Sequence, residues 1–84
     1  MNVRVISIPI AATNLFTLSG RSVQHVSGII FQAPEANTGT IFFGDRSHQL
    51  FEIRPKANGT LQVADITSVW VKGTPGDKLI LGLM

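Results

Sequence analysis

Apolar residues along this chain recur at a spacing of two, in short runs cut by Gly, Pro, Asn and Asp, and no stretch keeps a helical period. Val3 and Val5 alternate in one phase, while Ile6, Ile8 and Ile10 alternate in the other. Residues 2–8 therefore read as a strand with apolar side chains on both faces. Either a bulge near Val5 and Ile6 shifts the phase, or both faces are covered. Pro9 confines this strand to an edge position or ends it. Residues 13–22 predict a short strand and a turn at Ser19 and Gly20. Val23 to Ala33 predicts another strand, with Val26, Ile29 and Phe31 as core candidates and Gly28 inviting a bend. Further strands are expected at Thr40–Phe43, Leu61–Ala64, Val69–Lys72 and Lys78–Met84, with Leu50 and Phe51 reaching the core between them. In the last run Leu79, Leu81 and Leu83 share one face, and Ile80 and Met84 the other.

The punctuation between these runs carries specific turn chemistry. Asn37-Thr38-Gly39 predicts a reversal that returns the chain as a β-hairpin. Thr74-Pro75-Gly76-Asp77 fits a type II turn, with Pro at the second position and Gly at the third, and predicts a second hairpin. Asn58-Gly59 is the favoured pair for a two-residue reversal. Asp45, Asp65 and Asp77 each fall at a strand end or turn, where a carboxylate accepts nearby backbone N–H groups. Roughly six to eight short strands with turns between them predict an all-β chain. The expected architecture is a small antiparallel β-sandwich, jelly-roll-like, or a partly closed barrel. Residues 1–84 form a single domain, with residues 1–12 as a partner-contacting strand or arm.

Composition then changes the picture. Only 14% of residues are charged, against about 25% in ordinary domains. A small domain is mostly surface, so a charge-poor one leaves neutral or apolar area outside, which points to a partner. The net charge of +2 comes from scattered Lys and Arg, without a basic run, which argues against nucleic acid as a partner. There is no cysteine to staple the fold. No apolar stretch approaches the ~20 residues that cross a membrane as a helix. The N-terminal apolar run is broken by Ser7 and Pro9 and is rich in β-branched residues, so it reads as a strand and not as a signal peptide.

Candidate chemistry is thin. His25 and His48 have no carboxylate or second His at ligand spacing, so no metal, cofactor or catalytic residue is assigned, and the chain is not expected to be an enzyme. Asn58-Gly59-Thr60 matches a glycosylation acceptor but reads as turn chemistry. If Val69 and Val71 face the core, alternation puts Trp70 outside with Lys72, where a Trp anchors an interface. Phe42 and Phe43 are adjacent, so one ring points in and one out, a poor start for a base-stacking platform. The candidate contact residues are Val3, Val5, Ile6, Ile8, Ile10 and Trp70.

Read in order, the turn blocks resemble those of small structural proteins of tailed-bacteriophage particles. The first runs Ala33-Pro34-Glu35-Ala36-Asn37-Thr38-Gly39-Thr40-Ile41-Phe42-Phe43-Gly44-Asp45 and is similar to an A-x-x-A-N-T-G-x-I-x-x-G-D stretch. The second, Leu61-Gln62-Val63-Ala64-Asp65-Ile66 through Val69-Trp70-Val71-Lys72-Gly73-Thr74-Pro75-Gly76-Asp77-Lys78, is similar to their L-x-V-x-D-I-x-x-V-W/Y-V-K-G-T-x-G-D-K ending. The chain departs from that pattern at Pro55-Lys56-Ala57-Asn58-Gly59, where such proteins carry a P-G-E-like turn. The resemblance implies a capsid decoration or cement protein of the virion, assembled in the host bacterial cytoplasm. It implies the major capsid protein or other virion subunits as partners, and a homo-oligomer, a homotrimer by preference. A tail, fibre or head-to-tail subunit, a single-stranded nucleic-acid-binding barrel and a carbohydrate-binding module are the alternatives.

Overall fold

The computed structural model describes residues 2–20 and 25–84. Among these residues eight strands form two four-stranded antiparallel sheets. They are β1 (Asn2–Ser7), β2 (Thr13–Asn14), β3 (Ile29–Gln32), β4 (Ile41–Gly44), β5 (Phe51–Ile53), β6 (Asn58–Leu61), β7 (Trp70–Lys72) and β8 (Lys78–Leu83). The first sheet has the order β1-β8-β3-β6 and the second β2-β7-β4-β5. Each strand pairs with its counterpart counted from the other end of the chain: β1 with β8, β2 with β7, β3 with β6, β4 with β5. That is one long antiparallel ribbon rolled on itself, the order of a jelly roll. The sheets remain separate, so the chain is a sandwich and not a barrel.

Alternation decides which side chains meet between the sheets. Ile6, Ile29, Leu79, Leu81 and Leu83 from the first sheet pack against Ile41, Ile53 and Val71 from the second, all buried. Along β1 the register runs unbroken from Asn2 opposite Leu83 to Ser7 opposite Lys78, so there is no bulge. Ile6 and Ile8 face the core, and the other apolar face of this strand is left open. Residues 2–7 thus belong to the sheet and are an edge strand, not a separate arm.

Several expectations need correction. The segment from Thr13 gives only a two-residue strand, then the helical turn α1 (Leu15–Leu18). The Asn14 side chain accepts from the Thr17 N–H at 2.8 Å, capping that turn, and Leu15 is buried under it. The turn at Ser19 and Gly20 is present, with Gly20 at φ 88. Of the strand expected over Val23 to Ala33, the described residues form Ile29–Gln32 and an isolated bridge from His25 to Asp65; Val23 and Gln24 lie outside the described residues. Leu50 and Phe51 are 77% and 66% exposed, and Ile53 takes the core position instead. Phe51 nevertheless stacks on Phe43, ring centroids 5.3 Å apart, at the open end of the sandwich.

Asn58 and Gly59 lie inside β6, opposite Gln32 and Phe31, and do not turn the chain. The reversal is three residues earlier, where the Ala57 N–H donates to the Arg54 carbonyl at 2.9 Å and Lys56 sits at φ 72. Pro55 and Lys56 occupy the second and third positions of a type II-like turn, and a side chain at the third is strained. Lys56→Gly is expected to raise stability by roughly 0.5–1 kcal/mol, after the entropy that Gly adds to the unfolded chain. The lost Lys56–Glu35 surface contact subtracts little. Urea titration checks this, and a lower midpoint for the variant contradicts it.

Candidate functional site

The two turn blocks do not make two hairpins. β3 and β8 lie in the first sheet, β4 and β7 in the second, so both segments cross from one sheet to the other. They also meet. The Asp77 carboxylate accepts from the Thr38 N–H at 2.9 Å, the Thr38 hydroxyl at 3.2 Å and the Gly39 N–H at 2.9 Å. The Asn37 side chain donates to the Lys78 carbonyl at 2.7 Å and accepts from the Lys78 N–H at 2.9 Å. A Cβ on Gly39 would overlap the Thr74 hydroxyl, so a larger residue there would have to push the Thr74 side chain aside for the two crossovers to stay this close. The type II turn at Thr74–Asp77 is present, with Gly76 at φ 94 and the Asp77 N–H donating to the Thr74 carbonyl at 3.1 Å. The motif residues are thus one lock between the sheets.

Asp45 and Asp65 cap local backbone as expected. Asp45 accepts from the His48 N–H at 2.7 Å and the Ser47 N–H at 2.9 Å; Asp65 accepts from the Thr67 N–H at 2.8 Å. The N–H of Thr38 above all, then that of Gly39 and the Thr38 hydroxyl, hold the Asp77 pKa below its usual value against the opposing effect of burial. The His48 and Ser47 N–H groups do the same for Asp45. Both carboxylates are easier to ionise folded than unfolded, so their contribution is complete above about pH 5 and fades as pH falls through 4. Urea midpoints measured from pH 7 down to pH 3 are expected to fall, with a shallower fall in Asp77→Asn. A midpoint that rises on acidification contradicts this.

Among the described residues no group of three or more His, Asp or Glu is placed to hold a metal ion. The space between the sheets beside Leu15, Phe43 and Leu81 measures about 10 Å³, no more than one water needs. The chemistry that stands out is on the outer faces.

On the first sheet, register places Val3, Gly82, Ile30 and Thr60 in one outward row and Val5, Ile80, Gln32 and Asn58 in the next. Met84 follows β8 in the same phase, its N–H donating to the Gly28 carbonyl at 3.0 Å. Val3, Val5, Ile30 and Met84 are exposed and Ile80 is half-buried. Among the described residues the one charged side chain in the outward phase is that of Lys78, at one end, where its ammonium donates to the Ser7 hydroxyl at 2.8 Å. A solvated sheet face ordinarily alternates polar side chains outward. This one presents aliphatic side chains from three adjacent strands.

The second sheet is different. Val69 and Val71 are buried, and Trp70 and Lys72 point outward, as alternation requires. Phe42 sits between Lys72 and Glu52 on the same outer face. Two rings therefore share it, Phe42 and Trp70, although Phe43 points inward. The Arg46 guanidinium lies 5.7 Å from the Trp70 ring centroid. Ile10, 75% exposed, borders a shallow open depression beside Phe42 and Lys72.

The six candidate contact residues consequently do not form one surface. Val3 and Val5 lie on the outer face of the first sheet, and Ile10 and Trp70 on the side of the second. Ile6 and Ile8 are core residues, out of reach of a partner of the folded chain, because the even-numbered phase of β1 points between the sheets. Ile30, Ile80 and Met84 complete the apolar face, and single-strand periodicity did not single them out as contacts. No family model, curated protein or solved structure matches the chain, and the resemblance to tailed-phage virion proteins stands on its turn motifs alone.

Proposed function

We propose that this chain is a structural subunit that works by adhesion, attaching to a larger assembly through the outer face of the first sheet. The observation that carries this reading is the aliphatic cluster of Val3, Val5, Ile30, Ile80 and Met84, with its one charge at the rim. Water is released from such a face when a complementary surface covers it. Following the turn motifs, the assembly is the head shell of a tailed bacteriophage and the chain is its decoration protein. Four strands about 4.8 Å apart, each about five residues long, give a face of roughly 20 by 17 Å. That is on the order of 340 Å², well short of the ~800 Å² per partner of a stable complex. One contact is weak; many copies bridging shell junctions gain avidity and must all be undone before the shell opens.

Imaging particles with and without the chain tests this reading. Density on the outside of the head, and shells that open more readily when it is stripped, are the expected results. Particles that never carry the chain contradict it. Labelling at the tail or fibre moves the subunit to the competing place in the particle and contradicts the head assignment.

One observation favours a second reading. Phe42 and Trp70 share an outer face with Lys72 and Arg46, the residue types that stack and neutralise single-stranded nucleic acid. Glu52 on the same face, and Arg46 already over the Trp70 ring, work against it. Trp70 fluorescence titrated with an oligonucleotide at low and high salt decides. No change at low salt ends this second reading.

A further inference from the structure

We propose that Asn58 is a site of self-modification, losing its side-chain amide to attack by the Gly59 backbone nitrogen at a rate set by how often the edge strand β6 leaves β3. The proposal is independent of what the outer face of the first sheet binds.

The chain has four asparagines, and the residues that follow them are Val3, Leu15, Thr38 and Gly59. Three of those neighbours carry a side chain that crowds the attacking nitrogen, and Gly59 carries none. Asn58 is also exposed to water. The chemistry needs no cofactor. The Gly59 N–H gives its proton to a solvent base, and the nitrogen bonds to the Asn58 side-chain carbonyl carbon. The bond from that carbon to the amide nitrogen breaks, ammonia leaves, and a five-membered succinimide remains. Water then opens the ring at either carbonyl. One opening gives aspartate, and the other gives isoaspartate, in which the backbone runs through the former side-chain methylene. Nothing is oxidised or reduced.

The labile pair has a structural reason to be there. Gly59 lies opposite Phe31, whose ring is tilted against that of Phe43 with centroids 6.3 Å apart. A Cβ on Gly59 would stand 3.0 Å from the Phe31 ring, which would have to give way. A glycine inside a strand marks such a close approach.

Pairing holds the reaction back. Hydrogen-bonded pairs alternate along an antiparallel ladder. The Ala33 N–H donates to the Ala57 carbonyl at 2.8 Å, so two residues further on Phe31 and Gly59 form the next bonded pair. The Gly59 nitrogen is thus engaged with β3, and the extended chain carries it along the strand, away from a side chain that stands out from the sheet. The restraint is local. β6 has four residues and is paired on one side only, so it opens at less cost than the whole domain.

The product alters the strand. Either form adds a negative charge to a chain whose formal net charge is +2. Isoaspartate also adds a backbone carbon ahead of Leu61, which packs against the core, so the register of β6 on β3 is lost beyond it.

Peptide mass spectrometry of the purified chain, incubated at mildly alkaline pH both folded and in unfolding urea, tests this. The expected result is conversion at Asn58 in both samples, at least ~10-fold slower in the folded one because β6 must open first. Asn2, Asn14 and Asn37 should stay intact over the same period. Asn58→Gln, which must close a larger ring, should not convert. The isoaspartate fraction, resolved by chromatography, should unfold several degrees below wild type. Asn58→Asp, with the same added charge on an ordinary backbone, should unfold at the wild-type temperature. A folded chain in which Asn58 never converts overturns the site. Equal rates in the folded and unfolded samples overturn the restraint by β6. An isoaspartate fraction as stable as Asn58→Asp overturns the loss of register.

Discussion

Asp77→Ala is expected to lower the unfolding temperature by about 10 °C, more than loss of the Asp45 or Asp65 cap. The side chain is 5% exposed, and its two oxygens take two backbone N–H groups and a hydroxyl from the opposite crossover. Removing it takes the acceptor from the Thr38 and Gly39 N–H groups at a part-buried position. It also unfastens the sheets, since Ile41 enters the second sheet just beyond Gly39 and Leu79 enters the first just beyond Asp77. Asp77→Asn keeps one acceptor oxygen and should fall between wild type and Ala. Asp45→Ala, which frees N–H groups that water can reach, should shift the temperature far less. Differential scanning calorimetry of the series checks the ranking; an Asp77→Ala midpoint within about 2 °C of wild type contradicts the lock.

Leu81→Ala is the second large effect, at about 2–5 kcal/mol. Leu81 is 1% exposed on β8, the strand that pairs with both β1 and β3. A domain of this size holds roughly 4–13 kcal/mol in all, so the loss takes a large share of it. The informative comparison is Val5→Ala, expected within about 0.5 kcal/mol of wild type because Val5 faces outward. Sequence alone makes both look like strand aliphatics. A register slip of one residue would exchange their roles. Urea unfolding in which Val5→Ala costs more than Leu81→Ala contradicts the assignment of faces.

That comparison marks how far the chain can be read from its residues. The strands were legible because alternation is local: Leu79, Leu81 and Leu83 announce one buried face and Val69 and Val71 another. Trp70 followed from the same rule. The corners were legible as corners, since Pro75-Gly76 and Asn37-Thr38-Gly39 have turn chemistry of their own. Where they lead was not. A hairpin and a crossing between sheets use the same turn residues, and the difference lies in the bonds from Asp77 to Thr38 and Gly39, distant in sequence. Asn58-Gly59 misled for the same reason, because its preference for a reversal yields to pairing with Gln32 and Phe31.

The candidate site was half legible. Val3 and Val5 stood out on their own strand. Ile30, Ile80 and Met84 did not, because the face exists only once β1, β8 and β3 lie side by side, and no pattern within one segment states that order. Ile6 and Ile8 were grouped with the contacts because β1 is apolar on both sides; only the position of the second sheet shows which side is covered.

The most direct test of the central claim, that the outer face of the first sheet is the working surface, is the occupancy of a Val3→Lys, Val5→Lys double variant on shells stripped of the chain. Two ammonium groups on that face must be desolvated before any complementary surface can seat, while the fold beneath should be untouched. Binding at least tenfold weaker than wild type, with an unchanged unfolding temperature, is the predicted result. A double variant that coats the shells as fully as wild type would place the contact elsewhere on the molecule.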